Sequence, residues 1–324
     1  MSAPAPSTID GHSLAALLDD LAVVTPGISC YCSGGDWAIG AQVALHPGRS
    51  VVLARSDSHA FVGAIEGAGT ARPYLNSLES TWGFASPLLG PSIESAATVA
   101  ASALMSTRRQ WAVAIIAGLS SAHADALIPV LDSRFRCSRR RGLSSAVTSL
   151  EGGYEGFLSR RSGKMLVNLR RDRRRMAADG IELEFVANDG DPASVLARAQ
   201  AVERASWKGG QGPSMLGERT YLDFYGVILK RAASQGRLRA AFATREGQDL
   251  AFIFGAVLGK TYRGFQLAFR EETAPLGLGN QLQMALIERL AGEGVTEYDL
   301  GMDMPYKRRW CDHLLSLELL VIHR

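Results

Sequence analysis

The sequence predicts an α/β (α+β) protein of two packed domains, and three observations carry that expectation. Runs of strand character alternate with helical stretches along the chain, the pattern of mixed packing and not of a bundle or an all-β sandwich. At 324 residues with 47% apolar content the chain exceeds one typical domain and can bury two ordinary cores. Adjacent glycines, Gly152 and Gly153, follow the strand-like SSAVTSL and interrupt either kind of regular structure. The expected domains are therefore residues 1–150 and 151–324.

In the first domain SVVLARS and HAFVGAI read as strands near Val51 to Arg55 and Phe61 to Ile65, being short, apolar and rich in β-branched residues. SIESAATVAASALMS and HADALIPVLDS read as helices. WAVAIIA, from Trp111 to Ala117, is apolar throughout, as a central strand covered on both faces must be. In the second domain a helix is expected from about Tyr154 to Ala178 with an interruption at Gly163. A strand, IELEFVA, and a helix from Ala193 to Trp207 follow. The glycine-rich KGGQGP leads to a helix from about Glu218 to Ser234. RLRAAFATR, LAFIFGAVL and TYRGFQLAF are three successive strands, the first two joined by the turn EGQD. PLGLGN then opens the helix QLQMALIERLAGEG, and VTEYDL, Val295 to Leu300, is the expected last central strand before GMDMPYKRRW.

Composition narrows the function. Net charge is +3 on 35 basic and 32 acidic residues, so a nucleic-acid partner would need a local patch. Residues 1–150 hold 10 Arg and no Lys against 10 acids, whereas residues 151–324 hold 25 basic and 22 acidic residues, which places the chemistry in the second domain. Cys30, Cys32, Cys137 and Cys311 lack both a disulfide framework and zinc-ligand spacing and read as reduced thiols. No metal constellation and no Ser/His/Asp arrangement is visible. With no basic leader, no apolar leader core and no run of about 18 apolar residues, the expectation is a soluble cytoplasmic protein without membrane insertion.

Three segments carry candidate chemistry. In PLGLGNQLQMALIERL, Gly277 and Gly279 precede a helix whose first backbone N–H groups and dipole favour an anion. The segment follows a strand series and not a βαβ start, which disfavours a dinucleotide fold; a turn with glycines for shape is the plain alternative. The stretch from Phe157 to Gly180 holds eight basic residues against Asp172 and Asp179, and its turn Arg170 to Arg175 is charged all round, so it reads either as a polyanion site or as a solvated arginine-rich face. The third segment, GMDMPYKRRW, places Asp303, Tyr306 and Lys307 directly after a buried strand.

SRRSGKMLVNLRRDRRRM, ERASWKGGQG and YDLGMDMPYKRRW, in that order, resemble the FemAB-like branch of the GNAT acyltransferase superfamily, especially acetyltransferases associated with cellulose biosynthesis. The specific likeness covers about residues 155–312; the first domain shares only a general pattern, such as the run Trp82 to Pro87. The resemblance implies two tandem GNAT-like domains, each a mixed sheet flanked by helices, the N-terminal one degenerate. It implies acetyl-CoA or another acyl-CoA as co-substrate, with the pyrophosphate at Leu276, Gly277, Leu278, Gly279 and Asn280. Family loops carry a basic or Gln residue where this chain has Ala274, and Arg270 lies just upstream. Glu203, Trp207, Lys208, Arg170 and Arg174 are the candidate substrate-binding residues. Fem peptidyltransferases draw amino acids from aminoacyl-tRNA, and the lysine credited there with charge stabilisation matches Lys307.

Acyl transfer needs a deprotonated nucleophile, a donor for the developing oxyanion and a proton for the leaving group. Asp303 could orient or deprotonate the acceptor, Tyr306 could protonate the leaving group, and Lys307 could meet the oxyanion or a phosphate. Packing by Tyr306 and Trp310, with Asp303 as cap or ion-pair partner, is the structural alternative. The leading expectation is CoA-dependent acyl transfer, in its N-acetyl form, to an amine or hydroxyl of a small-molecule, glycan or peptide acceptor. An aminoacyl-tRNA-dependent transferase with a tRNA partner and a non-catalytic binding protein of the same fold are the alternatives.

Overall fold

The computed structural model describes residues 10–131, 135–206 and 214–324. The chain divides into two compact units, Met1–Ser145 with Leu315–Arg324, and Ala146–Leu314. The division falls before the glycine pair at 152–153, and the last ten residues run with the first unit instead of the second. Among the described residues no helix is long and apolar enough to cross a membrane, and the four cysteines are unbridged.

The first unit opens with helix α1 (Gly11–Val24), whose N-terminus is capped by the Asp10 carboxylate accepting from the His12 and Ser13 amides. Short helices α2 (Cys30–Ser33) and α3 (Gly35–Gly40) follow. Strands β1 (Ser50–Arg55), β2 (Ala60–Glu66) and β3 (Tyr74–Ser77) form an antiparallel series, with the two-residue β4 (Leu88–Leu89) also on β2. Helix α4 (Ile93–Thr107) makes the crossover to β5 (Val113–Leu119), which pairs parallel to β3, and helix α5 (Ser121–Val130) follows. Period-two alternation on β2 serves both faces: Phe61 and Ile65 pack with Ala96, Ala100 and Leu104 of α4, while Ala60, Val62 and Ala64 pack with Leu14, Leu18 and Leu21 of α1.

Strand β6 (Arg136–Ser149) is longer than the expected SSAVTSL. A larger difference is the chain end. Beyond VTEYDL and the segment that follows it the chain forms a strand that was not expected: His313–His323, our β12, pairs antiparallel with β5 along Glu318–His323. The physical reason is coverage: β5 is apolar and needs a second ladder partner, and Leu320 and Ile322 supply fully buried side chains to the same core.

The second unit contains helices α6 (Gly153–Ser159) and α7 (Gly163–Ala178), separated where Ser162 caps α7 by accepting from the Met165 amide. Strand β7 (Glu182–Phe185), helices α8 (Pro192–Arg204) and α9 (Arg219–Ser234), and strands β8 (Leu238–Arg245), β9 (Gln248–Leu258) and β10 (Thr261–Phe269) follow. A 3₁₀ turn (Glu271–Leu276) leads to α10 (Leu278–Gly292) and β11 (Glu297–Met302). The sheet order is β7-β8-β9-β10-β11, antiparallel except for the parallel β10–β11 pair. Leu278, Leu282, Leu286 and Leu290 of α10 pack on Ala241, Ala251 and Ile253, together with Phe157 of α6 and Leu169 and Met176 of α7. This fixes α7 and α10 beside one another against the same core.

Candidate active site

The parallel ladder between β10 and β11 pairs only Thr261, Tyr262 and Arg263 with Glu297, Tyr298 and Asp299. Just beyond, between Gly264 and Gln266, β10 carries an irregularity in its register with β9. The last rung is a buried ion pair, Arg263 Nη1 to Asp299 Oδ2 at 2.6 Å, with both side chains no more than 5% exposed. Asp299 Oδ1 also accepts from the Gly301 amide at 2.8 Å. Gly301 has φ 84°, and a Cβ there would stand 3.5 Å from both Arg263 Nη2 and Lys307 Nζ. The left-handed turn thus brings two cations beside one short piece of backbone.

Lys307 donates to the Leu300 carbonyl at 2.8 Å and the Met302 carbonyl at 3.0 Å, which anchors its ammonium at the end of β11. Tyr306 is 58% exposed on the 3₁₀ turn Pro305–Lys307, with its ring centre 5.8 Å from that ammonium. Asp303 is engaged by Arg308 through Nη2 at 3.0 Å and Nε at 3.3 Å, and this contact raises the already high pKa of Arg308. The three expected catalytic residues therefore share one loop. Asp303 is ion-paired, Lys307 is anchored by carbonyls, and Tyr306 is the most open of them.

Trp310 is buried and stacks on Phe157 at 6.4 Å, fixing the far side of the loop. Arg161, from the basic stretch, holds the same turn: its Nη1 donates to the Trp310 carbonyl at 2.6 Å and its Nη2 pairs with Asp312. Asp312 also accepts from Thr148 Oγ1 at 2.8 Å, the Ser149 amide at 3.0 Å and Arg160. Burial works against the Asp312 charge, but these donors and the two arginines outweigh it and hold the carboxyl below its ordinary pKa. Two of the eight basic residues are thus structural clamps.

Gly277 caps α10 with φ 65°, and a Cβ there would lie 3.0 Å from the Asp172 carboxylate of α7. A buried anion of the chain itself stands at the helix end, where the dipole favours negative charge. Gly279 is a close-packing position, since its Cβ would meet Leu267 at 3.0 Å and Phe269 at 3.4 Å. Leu278 belongs to the core and Leu276 packs against it. Asn280 Oδ1 accepts from Arg309 at 2.8 Å, a bond that ties the Tyr306–Lys307 loop to the glycine-loop helix. Arg270 lies along β9, its Nε donating to the Asp249 carbonyl at 2.7 Å.

Between these parts is a polar cavity of about 400 Å³ whose walls include Lys164, Asn168, Arg171, Asp172, Asn280 and Arg309. Three cations face one acid there. Arg263, Asp299 and Asn168 are functional candidates that motif reading missed; for the first two the signal was an arginine inside the apolar run TYRGFQLAF and an aspartate inside VTEYDL, while Lys164 and Arg171 belong to the basic stretch already singled out. Glu203 lies apart: it is fully buried, Oε1 accepts from the Leu216 amide at 3.2 Å, and Oε2 has no hydrogen-bond partner among the described residues. Trp207 and Lys208 lie outside the described residues. Arg170 and Arg174 are exposed on α7. Among the described residues no group of three His, Cys, Asp or Glu could hold a metal.

Residues 163–308 match the model of the acetyltransferase (GNAT) domain family. That span runs from the start of α7 to the end of the Tyr306–Lys307 loop. A search of curated proteins gives no match. Among solved structures the chain is similar to FemX (10% identity, TM-score 0.68, covering 97% of this chain and 96% of that one). It is also similar to the C-terminal domain of a protein described as a lysylphosphatidylglycerol synthetase from Agrobacterium fabrum (15%, 0.60, 97% and 92%). L-PGS from Bacillus licheniformis is a third (12%, 0.53, 85% and 84%). At these identities the likeness is one of fold. The mixed sheets flanked by helices and the family match together define a GNAT-fold protein.

Proposed function

We propose that the second unit is an acyltransferase whose donor is an acyl-CoA, with N-acetyl transfer to an amine as the leading form. One observation carries the reading: a cavity walled by Lys164, Arg171 and Arg309 adjoins the start of α10 and is tied by the Arg309–Asn280 bond to the loop of Asp303, Tyr306 and Lys307. A thioester with a phosphorylated tail needs both halves, cations for its phosphates and a fixed positive charge near its carbonyl. Lys307, held by two carbonyls, supplies that charge without reorganising. Tyr306, exposed beside that ammonium, returns a proton to the departing thiolate. Asp303, oriented by Arg308, positions the acceptor and takes up its proton.

Asp172 occupies the place beside Gly277 that a donor phosphate would favour, so donor binding requires its carboxylate to yield. Calorimetric titration with acetyl-CoA tests the reading. Lys164→Ala and Arg309→Ala should each weaken binding about tenfold, a loss of roughly 1.4 kcal/mol, and Asp172→Asn should tighten it. No binding at millimolar donor, or affinity indifferent to all three changes, overturns the acyl-CoA assignment.

The likeness to FemX and the exposed arginines of α7 support a second reading, an aminoacyl-tRNA donor. It expects tRNA binding that weakens steeply with salt and no response to acetyl-CoA.

A further inference from the structure

Helix α7 has a cavity on each flank. The polar one belongs to the proposed site; the other has no role in it. This second cavity, about 350 Å³, is walled by Tyr154, Leu158, Leu166, Met176, Leu183 and Met284, with Arg170 and Arg173 against a single acid, Glu288. Its volume is within the range of small-molecule sites, ~300–1,000 Å³, and its interior is apolar with a cationic border. Arg170, Arg173, Arg174 and Arg175 are exposed, and none of their side chains makes a hydrogen bond or ion pair among the described residues. At 3.6 residues per turn, Val167, Arg170, Arg171 and Arg174 fall on one outward stripe, and Val167 is 60% exposed.

A nucleic acid would use the arginines and leave the apolar cavity unexplained. A free fatty acid would use the cavity and one or two arginines, and leave the rest of the stripe unexplained. An anionic lipid surface uses both. We infer that α7 docks peripherally on an anionic membrane, the arginine stripe lying against lipid phosphates while the Leu166–Met284 cavity receives one acyl chain. The physical terms are additive: each basic residue near the surface attracts the anionic leaflet, and each methylene taken into the cavity leaves water.

Flotation of the full chain with vesicles tests this. Binding is expected to vesicles of phosphatidylcholine mixed equally with phosphatidylglycerol, to be absent with phosphatidylcholine alone, and to be strongly reduced at high salt. Arg170→Glu with Arg174→Glu should lower vesicle affinity about 100-fold. Arg140→Glu with Arg141→Glu, an equal charge change at exposed positions of the first unit, should lower it much less. Ala285→Phe, which fills the cavity wall, should weaken binding several-fold without altering salt dependence; Met284→Phe is the second filling variant should the first fail to fold. The inference is overturned by absence of binding to the anionic vesicles at low salt, by equal effects of the two charge-reversal pairs, by indifference to both cavity variants, or by tRNA binding in the absence of vesicle binding.

Discussion

The two units share an architecture, a mixed sheet with helices packed on it, but they use their polar residues differently. In the first unit several buried polar groups close on one another. Glu79, fully buried, accepts from the amides of Trp82 at 2.6 Å, Gly83 at 3.3 Å and Phe84 at 3.1 Å. Asp19 accepts from the Gly35 amide, and Arg49 joins Glu66 and Ser80. In the second unit Arg161 is a comparable clamp, yet Lys164, Arg171 and Arg309 face a cavity and the side chains of four arginines of α7 make no hydrogen bond or ion pair among the described residues. The lesson is that the fold supplies two scaffolds, while capacity for chemistry follows the charges a unit leaves available at the ends of its strands and helices.

That contrast can be broken at several points. The largest effect is expected from Arg161→Ala, which leaves Asp312 and the Trp310 carbonyl short of their main donor; a loss of about 3–5 kcal/mol is typical for breaking a buried pair, read by denaturant unfolding. Lys307→Ala should come next: if the second unit is the catalytic one, removal of an oxyanion-stabilising cation lowers kcat by about 10²–10³, or ~2.7–4 kcal/mol, with circular dichroism unchanged. Glu79→Ala in the first unit should cost about 1–3 kcal/mol of stability through its unsatisfied amides and leave acetyl-CoA affinity alone. A change in donor affinity there would erase the division of labour.

The smallest effect is a pH dependence that differs between units. Burial lowers the pKa of His123, and burial followed by the Arg49 charge lowers that of His46 to about 4. Between those folded values and the unfolded value near 6.5 the unfolded chain binds more protons, so stability from the first unit is full above that pH and falls on acidification. In the second unit Asp312, held below its ordinary value, contributes stability that is full above about pH 3.9 and is lost as the pH falls below that toward its folded value. Glu297, raised by burial and then by Asp299, is destabilising when ionised and is relieved by acid. The melting temperature should therefore fall from pH 7 to pH 5, and His123→Gln should lessen the fall.

Much of the fold was legible because its signals are local. Apolar WAVAIIA, the alternation of HAFVGAI and the glycine-opened helix after TYRGFQLAF are each set by neighbours within a few residues. Strand β12 was missed because HLLSLELLVIH lies beyond the motif that drew the reading, and only its ladder with β5, about two hundred residues earlier, reveals its purpose. The candidate site divides similarly. Asp303, Tyr306 and Lys307 stand in one motif and were found there. The Arg263–Asp299 pair joins two strands separated by a helix, and the cavity of Lys164, Arg171 and Arg309 joins α7 to a loop far along the chain.

By itself the sequence determined the order of strands and helices in the second unit, the glycines that permit φ 65° at Gly277 and 84° at Gly301, and the excess of arginine in one short stretch. Only the tertiary structure decided what each charge does. Arg161 became a clamp, Asp172 moved to the end of α10, Asp303 paired with Arg308, and Arg170 and Arg174 stayed outside. The reason is that helix and strand formation depends on short-range sterics and periodicity, whereas an ion's role depends on which opposite charge or carbonyl packing brings within about 3 Å.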